Sequence, residues 1–122
     1  MRDFREIKVW SKAHLLTPEI YKITTNFPRE EVYGITSQLR RSSASIAANI
    51  AEGFGRGGNR ELARFLQIAM GSACEVEYHV LLSKDLNLIN KLTYADLNER
   101  IVEIKRMLAS LLLKVRRDAS SG

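Results

Sequence analysis

The residues that could bind a metal or act as a nucleophile are few and scattered in this sequence. His14 and His79 are the only histidines, and Cys74 is the only cysteine. Glu75 and His79 are four residues apart, which would place them on one face of a helix. A di-metal site in a helical bundle needs about four carboxylates and two histidines from repeated Glu-x-x-His motifs, and the sequence lacks that set. We therefore expect no metal, no cofactor and no catalytic residue, and we expect Cys74 to be a core thiol.

The glycine-rich segment from Gly53 to Arg60 could cradle a phosphate, because such a segment before a helix exposes backbone N–H donors. It lacks the Gly-Lys-Ser/Thr ending of a P-loop, and it is not part of the βαβ unit that a dinucleotide site requires. We interpret it as a flexible connection between two helices, with Asn59 as the N-cap of the second.

Two groups of cations are candidate nucleic-acid contacts. Arg56, Arg60 and Arg64 step by four residues and would line one helix face beside the glycine-rich segment. Ion pairs with Glu52 and Glu61 are the alternative interpretation of this first group. The second group makes the end of the chain basic and comprises Lys105, Arg106, Lys114, Arg116 and Arg117. Its alternative role is to complement a helix dipole, and no aromatic residue interleaves with it to suggest stacking on single-stranded bases.

Composition indicates one small domain. The chain has 122 residues, 45% of them hydrophobic, and a net charge of +5. The charge favours anionic partners such as nucleic acid without specifying a fold. No apolar run approaches the ~18 residues of a membrane span, and the N-terminus has no signal-peptide pattern. We expect a cytoplasmic protein with no membrane partner.

Apolar residues recur at steps of three and four in four segments, and no segment alternates with the period of a strand. The fold class predicted is all-α, an antiparallel up-down-up-down four-helix bundle over residues 1–118 with a flexible tail at 119–122. Pro28 suits the first turn of the second helix, and Thr93 to Asp96 resembles a capping box at the start of the fourth. Asp3 and Glu6 have the same spacing at the start of the first helix. Pro18 predicts a kink or local break near residues 15–17.

The last two helices carry more apolar surface than one core stripe needs. The predicted seam of the last helix contains Leu97, Ile101, Ile104, Leu108, Leu111 and Val115. Leu112 and Leu113 flank that seam, and Ile68 lies off the main face of the third helix. The excess predicts an oligomer, although these residues could also simply widen the core.

The run from Gln38 to Gly53 resembles the characteristic motif of the 23S ribosomal RNA intervening-sequence proteins, also called the four helix bundle protein family. Matching pieces extend from about residue 4 to about residue 115, and Pro18 is a departure from the pattern. The motif residues of interest are Gln38, Arg40, Arg41, Asn49, Glu52, Gly53 and, in the third helix, Glu75. We expect the polar members to form an internal or intersubunit network, with Glu75 and Glu77 as carboxylate partners for an arginine.

The resemblance implies four-helix bundles that assemble as homopentamer rings, many of them encoded within ribosomal RNA genes. A related protein, the accessory variability determinant of diversity-generating retroelements, pairs with a reverse transcriptase and binds nucleic acid through a basic surface. The leading hypothesis is therefore a non-catalytic homo-oligomeric scaffold that contacts RNA or DNA electrostatically. The alternative is a structural or protein-interaction adaptor, with a partner such as a reverse transcriptase and no nucleic-acid binding.

Overall fold

The computed structural model describes residues 3–121, and within them the chain forms four α-helices and no strand. The helices are α1 (Lys8–Thr24), α2 (Ile35–Gly55), α3 (Asn59–Asp85) and α4 (Lys91–Ser121). Short 3₁₀ turns at Phe4–Glu6 and Arg29–Glu31 precede α1 and α2. The predicted all-α class and the four-helix bundle are confirmed.

Each helix packs against two neighbours, and its backbone does not come close to that of the diagonal helix. α1 contacts α2 and α4, and α3 contacts α2 and α4, as the up-down-up-down arrangement requires. The apolar stripes predicted from the period of the sequence meet along the bundle axis. The residues most deeply buried there include Leu16, Ile20, Ile46, Ile50, Leu66, Val76, Ile101, Ile104 and Leu108.

Pro18 does not break α1, which runs without interruption from Lys8 to Thr24. A proline in a helix removes one N–H donor, so the carbonyl four residues earlier, that of His14, loses its usual partner. Both Pro18 and His14 lie on the exposed side of α1. The unpaired carbonyl is therefore on the solvent side of the helix rather than in the core, which explains why the helix continues.

The first two helices begin later than their sequence signals suggest. Asp3 accepts a hydrogen bond from the Arg5 N–H at 2.9 Å, but it caps the 3₁₀ turn rather than α1. Pro28 likewise precedes the second 3₁₀ turn, and α2 begins only at Ile35. Turn and cap signals of this kind show where one element ends, but they do not locate the first residue of the next helix to better than several residues.

The last two helices begin earlier than predicted. Gly58, in an extended conformation, is the N-cap of α3, and Asn59 is its first helical residue. The side chain of Asn90 accepts a hydrogen bond from the Thr93 N–H at 2.8 Å, so Asn90 caps α4 and the predicted capping box at Thr93 was wrong.

The core-facing seam of α4 shifts by one residue near its C-terminal end. Leu112 is buried and Leu111 is only half-buried, whereas Leu113 is 60% exposed. The spacing from Leu108 to Leu112 is four residues where a strict heptad would place three, because a straight helix has 3.6 residues per turn. Leu112 is thus a core residue, and Leu113 alone remains as surplus apolar surface at that position.

Three further expectations meet different outcomes on α3 and α4. Cys74 is exposed, so the prediction of a core thiol was wrong. Ile68 is exposed, as the prediction of surplus apolar surface required. Residues 119–121, predicted as part of a flexible tail, continue α4, and Gly122 lies outside the described residues, as do Met1 and Arg2.

Candidate nucleic-acid interface

A cationic groove lies where the start of α1 meets the C-terminal half of α4. Its polar lining comprises Lys8, Ser110, Lys114 and Arg117, and Glu6 is the one acidic residue among the described residues that line it. Its volume is about 490 Å³, and apolar side chains complete its lining: Ile7, Val9, Met107 and Leu111. We call this surface the α1–α4 groove.

The cations of the α1–α4 groove come together only through the fold. Lys8 and Lys114 are exposed, and neither has an ion-pair partner within residues 3–121. Lys114 and Arg117 were candidates from the sequence, whereas Lys8 was missed because it is more than one hundred residues away in the chain. Only the packing of α1 against α4 could have identified it.

Of the three candidate arginines in and beside the glycine-rich segment, Arg56 and Arg64 form ion pairs with neighbouring carboxylates. Arg56 pairs with Glu52 at 2.8 Å, and Arg64 pairs with Glu61 at 3.0 Å. Both guanidinium groups also lie over the Phe65 ring, at 5.0 Å and 4.6 Å from its centroid. The hydrogen bond from Arg64 lowers the pKa of the Glu61 carboxyl, and the same bond raises the pKa of Arg64.

Arg60, the middle member of that group, is exposed and has no ion-pair partner among the described residues. Arg56 is the C-cap of α2, and only Arg60 and Arg64 lie on α3, so the prediction of a single helix face was wrong for Arg56. The charges of Arg56 and Arg64 are balanced locally. The alternative interpretation, ordinary surface ion pairing, describes Arg56 and Arg64.

The remaining cations of α4 are divided between partnered and unpartnered groups. The Lys105 ammonium donates to Glu77 at 2.7 Å, and this hydrogen bond raises the pKa of Lys105. Arg116 donates to the Gln67 side chain at 2.8 Å. Arg106 is exposed and has no ion-pair partner within residues 3–121.

The two arginines of the motif connect helices. Arg40 donates from Nε to the Thr24 hydroxyl at 2.8 Å and from Nη2 to the Tyr21 carbonyl at 3.3 Å, which anchors the end of α1. Arg41 pairs with Glu75 of α3. Glu75 is therefore the carboxylate partner expected for an arginine, whereas Glu77 pairs with Lys105 instead.

The other motif residues form a polar link and a close helix contact between α2 and α3. Asn49 donates to the Ser45 carbonyl at 2.8 Å and to its hydroxyl at 2.9 Å, and the Ser45 hydroxyl bonds to that of Ser72 at 2.9 Å. At Gly53, a Cβ would lie 3.0 Å from both Leu62 Cδ1 and Phe65 Cβ. Gly53 therefore permits the close approach of α2 and α3 beside the glycine-rich segment.

A second groove, of about 370 Å³, lies at the end of the bundle where α1 leads into α2. Tyr21, Tyr33, Arg40 and Arg41 line it with Val32, Thr36 and Ser37. We call it the tyrosine groove. Tyr33 was not among the residues predicted to line a surface; its position beside Gly34, in the segment before α2, was the available signal.

The histidines make contacts within their own helices. His14 stacks on Trp10 with ring centroids 4.8 Å apart, and His79 Nδ1 donates to the Glu75 carbonyl at 2.9 Å. Within residues 3–121, no three histidine, cysteine or acidic side chains come together as a metal site would require. No helix in the same range is long and apolar enough to cross a membrane.

Comparison with known proteins agrees with the geometry of the bundle. The sequence profile described as 23S rRNA-intervening sequence protein matches residues 5–110. A crystal structure of a protein of unknown function from the S23 ribosomal protein family of Bacteroides thetaiotaomicron is similar, with a TM-score of 0.79 and 27% sequence identity. The match covers 85% of this chain and 94% of that one. No functionally curated protein matches the chain. Because the profile spans most of the sequence, the chain belongs to the 23S rRNA-intervening sequence protein family.

Proposed function

We propose that this chain is a non-catalytic, homo-oligomeric scaffold that contacts the phosphates of RNA or DNA. The observation that supports the nucleic-acid half is the α1–α4 groove, whose described lining contains Lys8, Lys114 and Arg117 and a single acidic residue, Glu6. The pentameric state expected from the family resemblance is part of the same proposal.

Phosphate contact is the role that best fits the cations of this groove. The ammonium groups of Lys8 and Lys114 are available for a ligand, since no acidic side chain within residues 3–121 forms an ion pair with them. Each lysine or arginine placed at a phosphate releases condensed counterions, so such contacts give affinity without reading the base sequence. Binding through this groove is therefore expected to show little sequence preference.

Two double variants test where the contact lies. Lys8→Gln with Lys114→Gln is expected to weaken binding of fluorescein-labelled RNA about tenfold, measured by fluorescence anisotropy at about 50 mM salt. The loss of affinity is expected to be similar for RNAs of unrelated sequence. Arg56→Gln with Arg64→Gln removes the same number of charges, but these are balanced by Glu52 and Glu61. A larger loss of affinity in this second variant would show that the glycine-rich segment and the start of α3 form the contact instead. If the wild type binds no RNA, the proposal of nucleic-acid binding is refuted.

Self-association is supported by apolar surface on two sides of the bundle. On α3, Tyr78 and Leu81 are exposed three residues apart, with Tyr78 58% exposed. An apolar groove of about 360 Å³ lies between α1 and α2, where Phe4 and Trp10 face a stripe of alanines: Ala44, Ala47, Ala48 and Ala51. Contacts between two different surfaces of identical chains generate a ring when the rotation closes.

Light scattering tests the oligomeric half. A pentamer of the 13.9 kDa chain has a mass of about 70 kDa. Tyr78→Lys is expected to reduce the mass by placing a charge on the proposed contact surface, while far-UV circular dichroism stays helical. A wild-type mass near that of one chain at micromolar concentration would contradict this half of the proposal.

The adaptor alternative is supported by exposed apolar side chains on α4. Leu92 is exposed at the start of α4 and Leu113 in its C-terminal half, and exposed leucines of this kind suit a protein partner such as the reverse transcriptase that the resemblance suggests. A pull-down that recovers one protein after nuclease treatment, together with no direct RNA binding, would favour this adaptor over the scaffold that binds nucleic acid.

A further inference from the structure

The tyrosine groove combines an unusually exposed aromatic ring with two cations. Tyr33 is 92% exposed and packs against almost nothing, and Tyr21 is 45% exposed. Arg40 and Arg41 are the charged residues of the lining, and no carboxylate among the described residues lines it. Arg41 is paired with Glu75 of α3, so Arg40 supplies the unbalanced positive charge of the groove. The surface is therefore complementary to a ligand that is both anionic and aromatic.

Both guanidinium groups are held in place while keeping donors free. Arg40 uses Nε and Nη2 for Thr24 and Tyr21, which leaves Nη1 available. Arg41 uses only Nη2, for Gln38 and Glu75, which leaves Nε and Nη1 available. Since an arginine has five N–H donors, each side chain can still bind a phosphate oxygen without giving up its contacts within the bundle.

We propose that the tyrosine groove binds single-stranded nucleic acid, with a base stacked on Tyr33 and a neighbouring phosphate on Arg40 or Arg41. Unpaired bases stack on exposed aromatic rings, and fixed cations beside the ring hold the backbone, whereas bases inside a duplex are not accessible to the ring. The inference rests on the proposed nucleic-acid function and adds to it a second contact and a preference for unpaired strands.

The test compares single-stranded and duplex oligonucleotides of one sequence by fluorescence anisotropy. Tyr33→Ala is expected to weaken binding of the single strand about tenfold and to leave duplex binding unchanged. Tyr33→Phe is the matched control, because it keeps the ring and is expected to bind as the wild type does. Since Tyr33 is 92% exposed, neither variant is expected to change the fold.

The α1–α4 groove provides the comparison that separates the two proposals. Lys8→Gln with Lys114→Gln is expected to weaken the binding of both forms, because phosphates are present in each. If that variant weakens binding while Tyr33→Ala leaves the single strand unaffected, the tyrosine groove is not a binding site and the proposed function stands. If Tyr33→Ala instead changes the mass in solution, the groove is a contact between copies of the chain and the inference is overturned.

Discussion

Replacement of Gly53 by alanine is expected to destabilise the protein, although alanine is the better helix former. The substitution gains about 1 kcal/mol of helix propensity. Against this, the new Cβ would lie 3.0 Å from Leu62 Cδ1 and 3.0 Å from Phe65 Cβ. The Leu62 methyl can turn away, but Phe65 Cβ is attached to the backbone, so α3 must move. Overpacking of this kind costs about 1–3 kcal/mol, and a backbone shift belongs to the upper half of that range. The expected net loss is about 1–2 kcal/mol.

Gly55→Ala is the matched control in the same helix, because nothing lies within 4 Å of a Cβ at Gly55. This variant is expected to be as stable as the wild type or slightly more stable. Thermal unfolding at one fixed protein concentration measures both, and Gly53→Ala is expected to lower Tm by about 4–10 °C. Equal or higher stability of Gly53→Ala relative to Gly55→Ala would refute the close contact between α2 and α3.

Three further substitutions address individual contacts. Asn90→Ala is expected to cost about 1 kcal/mol in urea unfolding, because the Thr93 N–H loses its cap; an unchanged midpoint would contradict the capping. Asn87 has a φ of 61°, so Asn87→Ala is expected to lower Tm while Asn87→Gly is not, and equal effects would contradict the left-handed conformation. Glu77 raises the pKa of Lys105 above its ordinary value of 10.5. The ion pair therefore stabilises the folded protein fully below pH 10.5, and this stabilisation is lost as the pH rises through the raised pKa. Glu77→Gln is therefore expected to be less stable at neutral pH and to lose less between neutral and strongly alkaline pH, and parallel pH profiles would contradict this.

The helical period was enough to predict the fold, because burial along a helix repeats with the same spacing as its apolar side chains. It was less informative where one cap signal competes with another. Thr93 and Asp96 have capping-box spacing, yet the side chain of Asn90, three residues before Thr93, accepts the hydrogen bond from the Thr93 N–H. The spacing alone does not identify which cap forms.

The surfaces were predictable only in part, because they depend on distant segments. The spacing of Arg56 and Arg64 predicted a single helix face, but Arg56 is the C-cap of α2, and the fold pairs each arginine with a carboxylate and places both over Phe65. Lys8 lines the same groove as Lys114 only because α1 packs against α4. A pattern along one helix therefore predicts which residues share a face and leaves open which charges remain unpaired.

The salt dependence of RNA binding most directly tests the claim that the α1–α4 groove contacts phosphates, because each cation that contacts a phosphate releases condensed counterions. If Lys8, Lys114 and Arg117 each contact a phosphate, a plot of the logarithm of affinity against that of salt concentration should have a slope of about −3 on duplex RNA. Lys8→Gln with Lys114→Gln should reduce its magnitude by about 2. A slope near zero, or one that this variant leaves unchanged, would contradict the assignment of the α1–α4 groove as the nucleic-acid contact.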